Sequence, residues 1–307
     1  MIVEVSREEY KRHFSTDPHI FINDGFIANV ENKCDRVVRL MKDDESSIGL
    51  ILGIKDGVAK SPFSAPFGGF HYSHEYLFYN IVHDFISDLK DYIASQGLKA
   101  VQITLPPDLY QINMNAKLVN AFIRLGFTME NPDITHWADL KNFDGTWTKN
   151  MVTQNCRKAV KHGLTWSLVT DMESKKEAYE VILQNREQLG RKIYMTFDDL
   201  LGMEHIVPVD FFLVRESNGN GIGAGIFYRG HEKIVIGIFL GDDMEKRNLG
   251  TMNFLYKNLY EYYKEMGFSF LDLGISGLAG EPNAGLVRFK ELHNCIASLR
   301  HTLSWTP

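Results

Sequence analysis

Apolar residues along the chain fall into short runs of strand length and longer stripes at helical spacing, in an order of elements that occurs twice. The first half opens on a helix over 7–14 and continues with strand-like runs at RVVRLM (36–41), GLILGI (49–54) and VAKSPF (58–63). Turn residues separate them, KDDES at 42–46 and KDG at 55–57, so the three predict an antiparallel meander. Ser73 then stands as the N-cap of a helix in which Leu77, Ile81, Phe85, Leu89 and Ile93 recur at a spacing of four, and Gly97 stops it. A strand VQITL (101–105) ended by Pro106 and Pro107, a helix over 116–125 closed by Gly126, and a strand ITHWADL (134–140) complete the half.

The second half begins with a helix over 147–162 whose apolar side carries Val152, Cys156, Ala159 and Val160. A strand TWSLV (165–169) and two helices, over 175–189 and 197–205, lead to three strands at 209–215, 222–228 and 233–240, joined by the turns SNGNG and RGHE. A long helix follows over 246–266, with Met252, Leu255, Leu259, Tyr262 and Met266 on one face and Gly267 at its end. The strand FSFLDLG (268–274), a loop holding Gly274, Gly277, Gly280 and Gly285, a helix over 286–293 and a strand over 296–303 close the chain. The order repeats and the sequence does not. The pattern predicts an α/β (α+β) protein of two tandem domains, 1–143 and 144–307, each a mixed, mostly antiparallel sheet flanked by helices.

Composition narrows the partners. Hydrophobic residues make up 44% and charged ones 23%, which suits a folded globular chain. A net charge of -6 provides no broad cationic field, so nucleic acid is not the expected partner. The start MIVEVSREEY is charged and no run of 18 apolar residues occurs, so neither a signal peptide nor a transmembrane segment is expected and the location read from the sequence is cytoplasmic. Cys34, Cys156 and Cys295 lack any CxxC pair and read as reduced thiols. His71 and His74 stand without a HExxH frame, read as two unrelated surface residues, and predict no metal site.

The order of three antiparallel strands, long helix, strand, helix and strand is that of the GNAT acyl-CoA N-acyltransferase fold. Two such units in tandem resemble the FemAB-type aminoacyltransferases and related GNAT-like proteins of envelope and exopolysaccharide biosynthesis. The residues that carry the likeness are the basic helix NCRKAVKHGL (155–164), the strand end LDLG (271–274), the Phe-Lys stretch GLVRFKELHN (285–294) and the loop SAPFGGF (64–70). The GNAT loop for CoA is kept in part: Arg247 and Gly250 match, and Met252 stands where Gly or Ala is usual.

The resemblance implies an acyl donor, acetyl-CoA or another acyl-CoA, with aminoacyl-tRNA as the alternative, and a small-molecule or nucleotide-linked substrate. In the loop GDDMEKRNLGT (241–251), Arg247, Asn248, Gly250 and Thr251 at a helix start would hold a pyrophosphate; the acidic Asp242, Asp243 and Glu245 make an ordinary helix start the other reading. Asp272 follows Phe268 and Phe270 on one strand face, as a base for an attacking amine or as a cap on the Gly274 turn. On the last helix Leu286, Phe289 and His293 mark one face and Arg288 and Glu291 the other; Lys290 is placed toward the second, to stabilise an oxyanion or bind a substrate phosphate as the resemblance implies, or simply solvated. Arg157 beside Lys161, Lys158 beside His162, and Arg288 are read as substrate contacts or a solvated face. Phe67, Gly68 and Gly69, with Phe70, form a substrate loop or a bulged strand end. The function expected is transfer of an acyl group from a thioester or ester to an amine on a cell-envelope or saccharide precursor; the alternative is a non-catalytic ligand-binding protein on the same scaffold.

Overall fold

The computed structural model describes residues 1–42, 47–74 and 76–307, and by internal contacts the chain forms two units. Unit 1 comprises Met1–Thr135, Gly277–Pro282 and Ser298–Pro307; unit 2 comprises His136–Ser276 and Asn283–Ala297. The division falls after Thr135, where 143 was expected, and two late segments belong with the first unit.

Unit 1 is built on Ile2–Glu4 (β1), Arg36–Lys42 (β2), Ile48–Lys55 (β3), Val58–Ser61 (β4), Phe70–Tyr72 (β5), Ala100–Thr104 (β6) and Thr128–Met129 (β7), with the closing strand Thr302–Trp305 inserted between β6 and β7. The meander β2–β3–β4 is antiparallel, and β4 pairs parallel with β6 from Val58↔Ala100 to Ser61↔Ile103. Helices Arg7–His13 (α1), Asp24–Val30 (α2), Tyr79–Ser95 (α3) and Asp108–Arg124 (α4) accompany it. α3 buries Val82, Phe85, Ile86, Leu89 and Ile93 in a core with Leu50 and Leu52 of β3 and Val101 and Ile103 of β6, as its apolar spacing predicts. Its start differs: Ser73 donates its backbone N–H to Ser47 O as a continuation of β5, and Phe78 is the N-cap, without a side-chain bond. The turn expected at 42–46 lies, apart from Lys42, outside the described residues.

The second sheet holds Asp133–Asp139 (β8), of which His136–Asp139 belong to unit 2, and, within unit 2, Thr165–Val169 (β9), Val209–Arg215 (β10), Gly221–Tyr228 (β11), Ile234–Asp242 (β12) and Phe270–Ile275 (β13). A pair of two-residue strands that belongs to unit 1, Gly277–Leu278 (β14) and Glu281–Pro282 (β15), precedes Ile296–Arg300 (β16) in the chain, and Thr302–Trp305 is then β17. The order is β16-β8-β13-β12-β11-β10-β9. The strand expected to end the first half, β8, thus lies beside β13, while β17, expected in the second half, lies in the first sheet. The final run is two strands, broken at His301, whose carbonyl accepts from Leu105 N–H. Helices Asn150–Lys161 (α5), Met172–Gln188 (α6), Phe197–Met203 (α7), Thr251–Glu265 (α8) and Ala284–Leu292 (α9) complete the unit. The long helix expected from 246 begins only at Thr251. A 3-10 turn over Met244–Leu249 precedes it, and Gly250 at φ +81° separates the two. A Cβ there would stand 2.6 Å from Asn155 O, so close approach of α5 requires glycine. No helix among the described residues is long and apolar enough to cross a membrane.

Candidate active site

The feature that sets the site is the parting of β12 and β13. They pair in parallel only from Ile234↔Phe270 to Ile236↔Asp272, after which β12 runs on to Asp242 and β13 to Ile275. The cause lies on the other edge of β12. Against β11 the register is Ile226↔Phe239 and then Phe227↔Gly237, so Ile238 is an extra residue. Such a bulge bends its strand and increases local twist, and it stands two residues past the last pair with β13. Residues Gly237 to Leu240 are half-buried, where a central strand would be covered.

Helix α6 reaches the far end of this edge. Arg186 donates from Nη2 to Leu240 O (3.2 Å) and from Nη1 to Asn185 Oδ1 (3.0 Å), while Asn185 Nδ2 donates to Asp242 O (2.7 Å). Burial, with Arg191 next in effect, lowers the Arg186 pKa.

At the tip of β13, Asp272 is 1% exposed and its Oδ1 accepts from Gly274 N–H at 2.8 Å, with Gly274 at φ +69°. The turn-cap reading of Asp272 is therefore realised. Lys290 is 2% exposed and donates to three carbonyls, Leu273 (2.8 Å), Gly274 (2.8 Å) and Ile275 (3.0 Å). It is not solvated and does not lie on the Arg288 side. On a helix, 286, 290 and 293 share a face at spacings of four and three, and the apolar face carries Lys290 inward. Burial pulls its pKa down to about 8, opposed by Cys295 and Asp272.

Two residues absent from the sequence reading join this tip. His136, on β8, and Ser276, just after β13, are both fully buried, with His136 Nδ1 and Ser276 Oγ 2.7 Å apart. His136 Nε2 has no hydrogen-bond partner among the described residues, and burial followed by the Lys290 charge lowers the imidazole pKa to about 4. Their separation of 140 residues left no local signal.

The loop expected to hold pyrophosphate is only partly suited to it. Arg247 Nε bonds Asp242 Oδ1 at 3.1 Å, Asn248 is exposed, and Thr251 is buried. Gly250 is accounted for by Asn155. Arg157, Lys158 and Lys161 are exposed on α5 and His162 at its C-cap, and Arg288 is exposed on α9. In unit 1, Phe67 is 2% exposed and packs edge-on to His19 and Phe21, and Phe70 is buried in β5, so neither is a stacking surface for substrate. Gly68 and Gly69 serve the same packing: a Cβ on Gly68 would meet Pro62 N at 2.8 Å, and Gly69 has φ +115° and donates to Ser61 Oγ. His71 is buried too, between Tyr10 Oη (3.0 Å) and Asp17 Oδ1 (2.9 Å), which corrects its reading as a surface residue. Among the described residues no group of three or more His, Cys, Asp or Glu is placed to hold a metal ion.

No protein-family model matches the sequence, and no curated protein matches it. Solved structures do. The chain is similar to FemX, with a TM-score of 0.70 at 12% identity over 100% of this chain and 97% of that one. It is similar to the C-terminal domain of a putative lysylphosphatidylglycerol synthetase from Agrobacterium fabrum, at 0.63 and 13% over 98% and 93%. A tandem GNAT protein from the clavulanic acid biosynthesis pathway matches at 0.57 and 12% over 100% and 98%. The chain has a FemX-like tandem GNAT fold.

Proposed function

We propose that this tandem GNAT chain is an acyl- or aminoacyltransferase whose donor lies extended along β12 where β13 has left it. The observation that carries the reading is the parting after Ile236↔Asp272 with the bulge at Ile238 behind it, because it exposes strand backbone inside a sheet to an extended ligand. The favoured donor is a thioester, acetyl-CoA or another acyl-CoA, with an aminoacyl ester of tRNA as the alternative; the acceptor is an amine on a cytoplasmic envelope or saccharide precursor. The amine attacks the acyl carbonyl, the oxyanion collapses and breaks the C–S or C–O bond, and the thiolate or ribose alkoxide that leaves takes up the proton the amine gives up, as free thiol or hydroxyl. Asp272 and Lys290 act as positioning residues: each is already bonded within the tip, so they fix its shape, and the buried ammonium adds positive charge near the developing oxyanion.

A second reading, ligand binding without catalysis, is favoured by the full engagement of Lys290 and the pairing of Arg247 with Asp242. Thermal unfolding with acetyl-CoA, combined with an amine-acylation assay, separates them. Saturating donor should raise Tm by about 5 °C or more and yield acylated amine. A shift without product favours binding alone, and no response to acetyl-CoA or charged tRNA overturns both donor assignments.

A further inference from the structure

We infer that Arg186, and not Arg247, is the anion anchor of the donor site, receiving a phosphate or diphosphate of the ligand that runs along β12. The inference rests on the reading of β12 as the ligand-bearing strand. Both arginines stand toward the outer end of that strand, and they differ in what they face. Arg247 is bonded to the Asp242 carboxylate at 3.1 Å and its side chain is half exposed. Arg186 is half-buried and has no carboxylate partner among the described residues; its two protein acceptors are neutral, the Leu240 carbonyl and the Asn185 amide oxygen.

A guanidinium offers five N–H donors, so such an arrangement leaves donors over in the fork geometry that suits phosphate. Half-burying a cation without a counter-charge is unfavourable, and a neutral amide would satisfy Leu240 O equally well. Position in the last turn of α6 does not account for it either, because the guanidinium bonds β12 and a side chain beside it instead of the helix's own carbonyls. The fork is also held. Asn185 Nδ2 is fixed on Asp242 O at 2.7 Å, so the amide oxygen that receives Arg186 Nη1 cannot turn away. Arg191 donates its backbone N–H to Arg186 O at 2.8 Å, and its exposed side chain brings a second cation to the same turn. Leu240 lies two residues beyond the bulge at Ile238, so an anion at Arg186 sits where a ligand following the freed edge ends.

The diphosphate has two possible sources, CoA or a nucleoside-diphosphate sugar. The test is calorimetric titration of CoA, pantetheine, UDP-N-acetylglucosamine and inorganic pyrophosphate into the full chain and its R186Q and R247Q variants, with R186K as a charge-keeping control. Loss of a charge-assisted pair should weaken CoA or the UDP-sugar by roughly 10- to 100-fold in R186Q, with a smaller loss in R186K and little change in R247Q. Pantetheine, which lacks the diphosphate, should bind all variants alike, and the diphosphate ligand that weakens identifies the source. Unchanged affinity in R186Q, or a loss confined to R247Q, overturns the anchor while leaving β12 as the ligand strand. Wild-type protein that binds none of the four overturns the anchor and the acyl-CoA donor together.

Discussion

Lys290 Nζ lies 2.8 Å from the carbonyl oxygen of Gly274, whose N–H is held at 2.8 Å by Asp272. One residue at φ +69° is thus gripped from both sides, by a buried cation and a buried carboxylate. The tip of β13 owes its shape to this grip, and three expectations follow from the groups at the tip and at the start of α8.

Lys290 should give stability a pH dependence of definite sign. Its folded pKa, near 8, lies below the ordinary lysine value of 10.5, so between these pH values the unfolded chain binds more protons and stability from this group rises with pH. Tm measured from pH 7 to 9.5 should contain that rise, and Lys290→Met should remove it. A variant whose pH profile parallels the wild type contradicts the burial of this charge.

His136 and His293 act in the acid range. Both have folded pKa values near 4, below the ordinary histidine value of 6.5, so the native state resists protonation and stability falls as pH drops from about 6.5 to 4. His136→Asn keeps a polar partner for Ser276 and should lessen the fall, as read by urea unfolding at pH 7 and pH 5. An identical loss in both proteins would assign the acid sensitivity elsewhere.

Gly250→Ala should destabilise the protein by about 1–3 kcal/mol, since it combines a left-handed backbone with a Cβ 2.6 Å from Asn155 O. A lowered urea midpoint with unchanged slope is the expected result. A neutral effect would mean that α5 does not press on the start of α8.

In unit 1, Asp133 accepts from Gly280 N–H and from Arg300 Nη2, at 2.9 and 2.7 Å, with both side chains largely buried. Asp133→Ala leaves the arginine uncompensated and should cost about 3–5 kcal/mol; chemical denaturation reads it, and a loss below about 1 kcal/mol would place this pair among ordinary surface ion pairs.

Elements with strong local periodicity were legible in the sequence, and pairings across the chain were not. The runs 209–215, 222–228 and 233–240 became β10, β11 and β12 nearly residue for residue, since continuous apolar runs between tight turns leave few alternatives. The exchange of β8 and β17 between sheets depends on contacts such as Leu303↔Ile103, which no period encodes. Lys290 was misplaced for a different reason. Its charge outweighed its spacing from Leu286 and His293, although the spacing alone put it on the buried face. Arg186 carried no signal, because its meaning comes from a bulge in a strand more than fifty residues away.

If the edge of β12 freed by the Ile238 bulge receives the acyl donor, amide hydrogen exchange of the full chain with and without saturating acetyl-CoA will show it. Exchange should slow chiefly in Gly237 to Asp242 and at the β13 tip, residues 273–276. Protection confined to unit 1, or donor binding that leaves β12 exchange unchanged, would contradict it.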